Sequence, residues 1–154
     1  MVQFDLRNCP PLMSGCQWIE PISADYGGID PWQVRERVGF DAPRLFWLTE
    51  IGQDQWRGRH AHRESKLATY ALAGGCGLTL DNGRDKQVVT LSAKGPGLLV
   101  GRMIWHDLYE FVPGSVVLVI ASTRYDEAEY IRNYDVFLNE VAKEATAGAP
   151  RTPC

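Results

Sequence analysis

The chain has 154 residues and a mass of 17.3 kDa, enough for one domain with a full core that needs no covalent staples. Hydrophobic residues make up 45% and charged residues 23%, which excludes a disordered chain or a disulfide scaffold. A net charge of −3 argues against a nucleic-acid binder driven by counterion release, and no apolar run reaches the roughly 18–20 residues of a membrane span.

The N-terminal stretch MVQFDLRNCPPLMSGC has no charged region leading into an apolar one, so no secretory signal is expected. Cys9, Cys16, Cys76 and Cys154 form no CxxC and no paired spacing. The expectation is a cytoplasmic protein with incidental thiols, without zinc or disulfides. The first forty or so residues are punctuated by Pro10, Pro11, Pro21, Gly27, Gly28, Pro31 and Gly39, which predicts short extended pieces and turns.

From Arg44 the texture changes. RLFWLTEI (44–51), RGRHAHRE (57–64), KLATYALA (66–73) and CGLTLDNG (76–83) read as strands, the last closing on the turn signal Asp81-Asn82-Gly83. KQVVTLSA, PGLLVG, MIWHDLYEF and SVVLVIAS follow at intervals of about ten residues, each bounded by turn formers. That spacing predicts an all-β sandwich or barrel and not βαβ units. In DEAEYIRNYDVFLNEVAKEA, Ala128, Ile131, Tyr134, Phe137, Leu138 and Val141 recur with helical period. Asp126 and Glu127 suit the first turn of such a helix and Lys143 its last. The organisation expected is an extended lead-in over 1–25, a barrel over 26–122 and a C-terminal helix over 123–146.

The three histidines of the chain sit in two of these strands: His60 and His62 in RGRHAH, and His106 in MIWHDLYEF. Alternation along a strand puts His60 and His62 on one face. Two uses compete. His60, His62 and His106 could hold Fe(II) or Zn²⁺, as in metal-binding cupins. The positions where such a protein carries its glutamate are Lys66 and Leu67, however, and neither suits a cation. The second use is general acid–base chemistry without metal, since imidazoles trade protons near neutral pH. Arg57 falls on the opposite strand parity from His60 unless a bulge intervenes. It, Arg59 and Arg44 could meet a phosphate from strand ends or loops. Tyr26, Tyr109 and Tyr125 carry polar tips that could reach a sugar or base, whereas Phe46, Trp47, Trp105 and Phe111 read as core.

RGRHAH, LDNG, VGRMIWHDLYEF, VLVIAS and YDEAEYIRNYDVF together resemble the sugar nucleotide 3,4-ketoisomerases, cupin-fold enzymes acting on dTDP-4-keto-6-deoxyglucose. The similarity runs from about Tyr26 to Phe137. It implies an all-β cupin jelly roll with a C-terminal helix, a homodimer with N-terminal strands exchanged between subunits, no metal and no cofactor. Carried over by position, His60 and His62 are the acid–base pair, Arg57 helps bind the nucleotide sugar, and His106 and Tyr26 face the hexose. Arg44 and Tyr109 join the expected substrate contacts. A related epimerase and a metal-dependent cupin built on His60, His62 and His106 are the other readings. Departures from the family pattern are Phe46 in place of a tyrosine, Lys66 and Leu67 in place of a polar pair, Arg102 in place of proline, and Arg124 in place of tyrosine. By the same resemblance, His106 goes with a galacto product and Tyr26 with a gluco product. His106 is given the greater weight, because an imidazole can itself join a proton relay.

Overall fold

A computed structural model describes residues 5–21 and 31–148. Ten strands form two five-stranded sheets. They are β1 (Cys16–Ile19), β2 (Arg44–Leu48), β3 (Arg57–His62), β4 (Leu67–Ala73), β5 (Gly75–Asp81), β6 (Lys86–Ser92), β7 (Gly97–Val100), β8 (Trp105–Tyr109), β9 (Val116–Ala121) and β10 (Tyr130–Ile131). One sheet runs β1-β7-β4-β9-β2 and the other β10-β3-β8-β5-β6, and each strand pair is antiparallel. The fold is an all-β jelly roll of cupin type with a C-terminal helix. The eight strands predicted between Arg44 and Ser122 all form, because each is fenced by a turn that strand pairing requires. In the 81–83 turn the Asp81 carboxylate accepts from the Gly83 N–H at 2.7 Å, and Asn82 Oδ1 accepts from the N–H groups of Arg84 and Asp85.

The main core lies between the sheets. β5 sends Cys76, Leu78 and Leu80 inward, β9 sends Val117, Val119 and Ala121, and Leu98 and Phe111 fill between them. β9 is buried on both faces, which is why VVLVIA is continuously apolar. Its outer residues Leu118 and Ile120 pack with Ile19 and Tyr70 under helix α1 (Pro31–Val38).

That helix was not expected. Its buried positions are Val34 and Val38, one turn apart, and Trp32, Gln33, Arg35, Glu36 and Arg37 are exposed, so the stripe is too thin to read. Pro31 at its first position and Gly39 just past its end are the signals that were present. The Gly39 N–H donates to the Arg35 carbonyl at 2.9 Å.

The C-terminal helix also differs from expectation. Helix α2 spans Tyr134–Ala147 and does not begin near 123 or 126. Asp126 caps only a single 3-10 turn over Glu127–Glu129, and Tyr130–Ile131 then pair with β3 as a short strand. Ile131 was read as part of a helical stripe, but it is buried from a strand, and Asn133 is the true N-cap, accepting from the Val136 N–H at 3.0 Å. The helix runs on to Ala147, so Lys143 falls just short of its last turn. Phe137, fully buried, packs with Ala61, Trp105 and Ile131, a burial that contributes about 1.5–3 kcal/mol. Ion pairs Arg63–Glu140 and Arg102–Glu144, both 2.7 Å, hold the same helix against the barrel.

Near the N-terminus, Ile19 is buried within its own chain, while Trp18 is half-buried and donates its indole N–H to the Pro10 carbonyl at 2.8 Å. Trp32 is 66% exposed. Phe4 lies outside the described residues.

Candidate active site

Strand register builds the site. On the antiparallel ladders His60 stands opposite His106 of β8, and His62 stands opposite Tyr130 of β10. Directly opposed residues project to the same face of a sheet, so three neighbouring strands place three imidazoles and a phenol together. A bulge between Gly58 and His60, with φ of +78° at Gly58 and +57° at Arg59, inserts an extra residue into β3. The bulge shifts the parity that otherwise separates Arg57 from His60, and both line the cavity.

The cavity holds about 290 Å³. Leu67, Leu78, Val100 and Val119 supply its apolar floor, and Arg44, Arg57 and Arg132 bring positive charge to it. None of the described lining residues carries a carboxylate. His60 is half-buried, whereas His62 and His106 are each 4% exposed.

His60 Nδ1 lies 2.8 Å from the Gly58 carbonyl and its Nε2 lies 3.1 Å from His62 Nε2. The carbonyl can only accept, so His60 donates through Nδ1–H and presents a lone pair at Nε2, to which His62 Nε2–H donates. The chain of bonds leaves Nδ1 of His62 as a buried acceptor without a hydrogen-bond partner among the described residues. His106 donates through Nδ1–H to the Ile104 carbonyl at 3.2 Å. Burial, reinforced by the neighbouring imidazoles, pushes His60 down to about 3. Burial, with the charges of His106, Arg44 and Arg132, does the same to His62, and burial brings His106 to about 4. All three rings are therefore neutral near pH 7 and competent to accept a proton.

The structure brings together His60, His62, His106, Arg57 and Arg44 of the residues singled out from the sequence. Tyr109 is not among them. His106 and Leu108 point inward, so Tyr109 emerges on the other face of β8, where it stacks on Trp56 with centroids 4.7 Å apart. Tyr26 lies outside the described residues. Among the polar lining residues, Thr69 was not singled out, and Tyr130 and Arg132 were missed as well. Their only local signal is the EYIR string, and its reading as helix hid the strand that presents them.

A metal ion is the competing occupant, since the donor atoms of the three histidines lie within 4.8 Å of one another. The charge around them opposes it. Arg44 and Arg132 act on the imidazoles as positive charges, and Leu67, where a carboxylate ligand would be needed, lines the cavity with hydrocarbon. The imidazole donors themselves suit a divalent cation, whereas the arginine charge around them favours an anion.

An antiparallel jelly roll with three imidazoles clustered inside an arginine-lined cavity defines a cupin-type protein with a histidine-lined pocket. The family model described as FdtA: WxcM-like, C-terminal, matches residues 16–142, and the chain belongs to this family, that of the sugar nucleotide 3,4-ketoisomerases. It is 33% identical over 117 residues to the TDP-4-oxo-6-deoxy-α-D-glucose-3,4-oxoisomerase of Aneurinibacillus thermoaerophilus, covering 76% of this chain and 84% of that protein. Among solved structures, a mutant of the 3,4-ketoisomerase QdtA from Thermoanaerobacterium thermosaccharolyticum, in complex with TDP-4-keto-6-deoxyglucose, superposes with a TM-score of 0.76. Its identity is 28%, with 86% of this chain and 97% of that chain covered. WlaRA, a TDP-fucose-3,4-ketoisomerase from Campylobacter jejuni, gives a TM-score of 0.70 at 31% identity over 81% of this chain and 93% of its own.

Proposed function

We propose that the chain isomerises dTDP-4-keto-6-deoxyglucose to a dTDP-3-keto-6-deoxyhexose in the cytoplasm, with His60 and His62 moving the carbon-bound proton. The observation that carries this reading is the 3.1 Å contact between two neutral Nε2 atoms inside an arginine-lined cavity. His60, the more exposed ring, takes the proton from C3, which the adjacent C4 ketone acidifies, on the Nε2 lone pair that it frees from the His62 N–H. The electrons form an enediolate, and the proton returns at C4 while the ketone forms at C3. Arg57 and Arg44 supply charge for the diphosphate, as Arg132 does beside Tyr130.

Proton NMR of the fresh product tests both the activity and its stereochemistry. We expect the galacto epimer, because His106 lines the cavity and a histidine at this position goes, by the family resemblance, with that product. His106→Arg should move the mixture towards the gluco epimer. No conversion of the substrate overturns the activity. A gluco product from the native protein, or an unmoved ratio in the variant, overturns the assignment of His106.

The same reading needs no metal. Exhaustive chelation is expected to leave turnover unchanged, and loss of activity restored by iron or zinc would reinstate the metal-dependent alternative.

A homodimer belongs to this proposal. Leu45 and Trp47 are 51% and 66% exposed on the outer side of edge strand β2, beside the cluster under α1. Aromatic surface of that kind is used at subunit contacts. Light scattering should give twice the 17.3 kDa of one chain, and a single-chain mass at micromolar concentration contradicts it. β1 pairs with β7 of its own chain in this structure, the same ladder that an exchange of N-terminal strands would form between subunits.

A further inference from the structure

Isomerisation moves two protons, and the imidazole pair accounts for one. Breaking C3–H puts electrons into a C3=C4 bond and negative charge on O4, leaving the hydroxyl at C3 intact. Before C4 can take the carbon proton and C3 can become the ketone, a proton must leave O3 and one must reach O4. That oxygen-side transfer needs a lining group able both to give and to take a proton.

The arginines give N–H donors but do not release them. His106, with its only N–H committed to the Ile104 carbonyl, offers a lone pair and no proton. His60 takes the carbon proton, and His62, its only N–H given to His60, keeps a lone pair at Nδ1 and no free proton. Among the described lining residues two hydroxyls remain, those of Thr69 and Tyr130. Thr69 lies on β4, in the sheet facing the imidazoles. Tyr130 is the cross-strand partner of His62, with its ring centroid 4.8 Å from that of His60 and 4.5 Å from that of His62.

Its phenol is held for the purpose. Arg44 Nη1 donates to the Tyr130 oxygen at 2.9 Å, which uses one lone pair and leaves the O–H to be given elsewhere. The Arg44 guanidinium is fixed in turn between the Phe46 and Tyr125 rings, at 4.6 and 5.1 Å from their centroids. Arg132 stacks on the Tyr130 ring at 4.4 Å while paired with Glu127. Tyr130 is therefore braced by two guanidinium groups beside the two imidazoles.

We infer that Tyr130 is a catalytic residue of the proposed isomerisation, giving its hydroxyl proton to O4 of the enediolate and recovering one from O3. The bookkeeping closes: C3–H and O3–H break, C4–H and O4–H form, and no oxidant or reductant is consumed. The inference rests on the ketoisomerase reading of the same cavity.

The test follows C3 deuterium exchange and product formation together, by NMR in D₂O with dTDP-4-keto-6-deoxyglucose. Tyr130→Phe keeps the ring against both imidazoles and removes only the hydroxyl. Isomerisation should fall by about 10²-fold or more. C3 exchange should fall less, because the first enediolate can still return its proton to C3. The ratio of exchange to isomerisation is then expected to rise at least about tenfold, with dTDP affinity within about threefold of the native value. Arg44→Met, which leaves the phenol without its guanidinium, should uncouple the two in the same direction, and it supplies the answer if Tyr130→Phe does not fold. Equal falls in exchange and isomerisation, turnover within threefold of native, or uncoupling in Thr69→Val instead, each overturn the role of Tyr130. A native protein that neither exchanges C3–H nor isomerises the substrate overturns the ketoisomerase reading itself.

Discussion

Replacing His60 by asparagine is expected to lower turnover by about 10²–10⁴-fold, the range typical of a lost general base. Asparagine keeps polar atoms near the Gly58 carbonyl and His62, so the fold and dTDP affinity should survive. A His60→Asn protein that retains turnover within threefold of native would move the base to another group. His62→Asn should also be slow, since His62 is the partner that shares the proton at 3.1 Å. The pH dependence carries a sign. The reactive form is the neutral ring, so activity is lost as pH falls through its pKa in the folded protein. Burial holds His60 near 3, which places the acid limb of kcat/KM well below the ordinary imidazole value of about 6.5. An acid limb at or above that value in the free enzyme would mean that His60 is better solvated than this cavity makes it.

The second large effect is expected at a residue with no side chain. Gly58 has φ of +78°, and a Cβ added there would lie 2.6 Å from the His106 carbonyl oxygen and 3.2 Å from its ring. Backbone on the facing strand cannot give way as a flexible side chain can. Gly58→Ala should therefore cost at least about 1–3 kcal/mol for the left-handed conformation alone, with the clash added. That corresponds to a drop in Tm of several degrees, because about 1 kcal/mol moves the midpoint by roughly 2–8 °C in domains of this size range. Activity should fall more than stability implies, since the bulge sets the position of His60 and its carbonyl orients the ring. Unchanged melting together with unchanged turnover would show that β3 can rebuild without its bulge.

What could be read from the sequence follows from the range of the interactions. Turns between strands are local, so Asp81-Asn82-Gly83 and its counterparts announced the barrel. The histidine pair was legible because strand parity needs no knowledge of neighbours, and the three imidazoles do meet. Parity failed where the chain breaks it. Arg57 reaches the cavity through a bulge that the sequence allowed for but did not locate, and Tyr109 lost its place because Leu108 took the inward position. Tyr130 and Arg132 were out of reach for a different reason. Their position depends on pairing with β3, almost seventy residues earlier in the chain, and the apolar spacing of Ala128, Ile131 and Tyr134 fits a helix equally well. Helix α1 stayed hidden because only Val34 and Val38 turn towards the sheet.

β10 has a consequence for the order in which the protein is made. It follows every other strand in sequence, yet it covers the outer edge of β3, the strand that carries His60 and His62. As the chain leaves the ribosome, both sheets can assemble through β9 while that edge still shows bare N–H and C=O groups. Only when Tyr130 and Ile131 emerge is the edge covered, and Phe137 and Glu140 of α2 then anchor the short strand that two residues alone could not hold. A nascent barrel thus carries its imidazoles early and acquires its phenol and the Arg132 guanidinium last, so the cavity lining is completed with the C-terminal helix and not with the barrel.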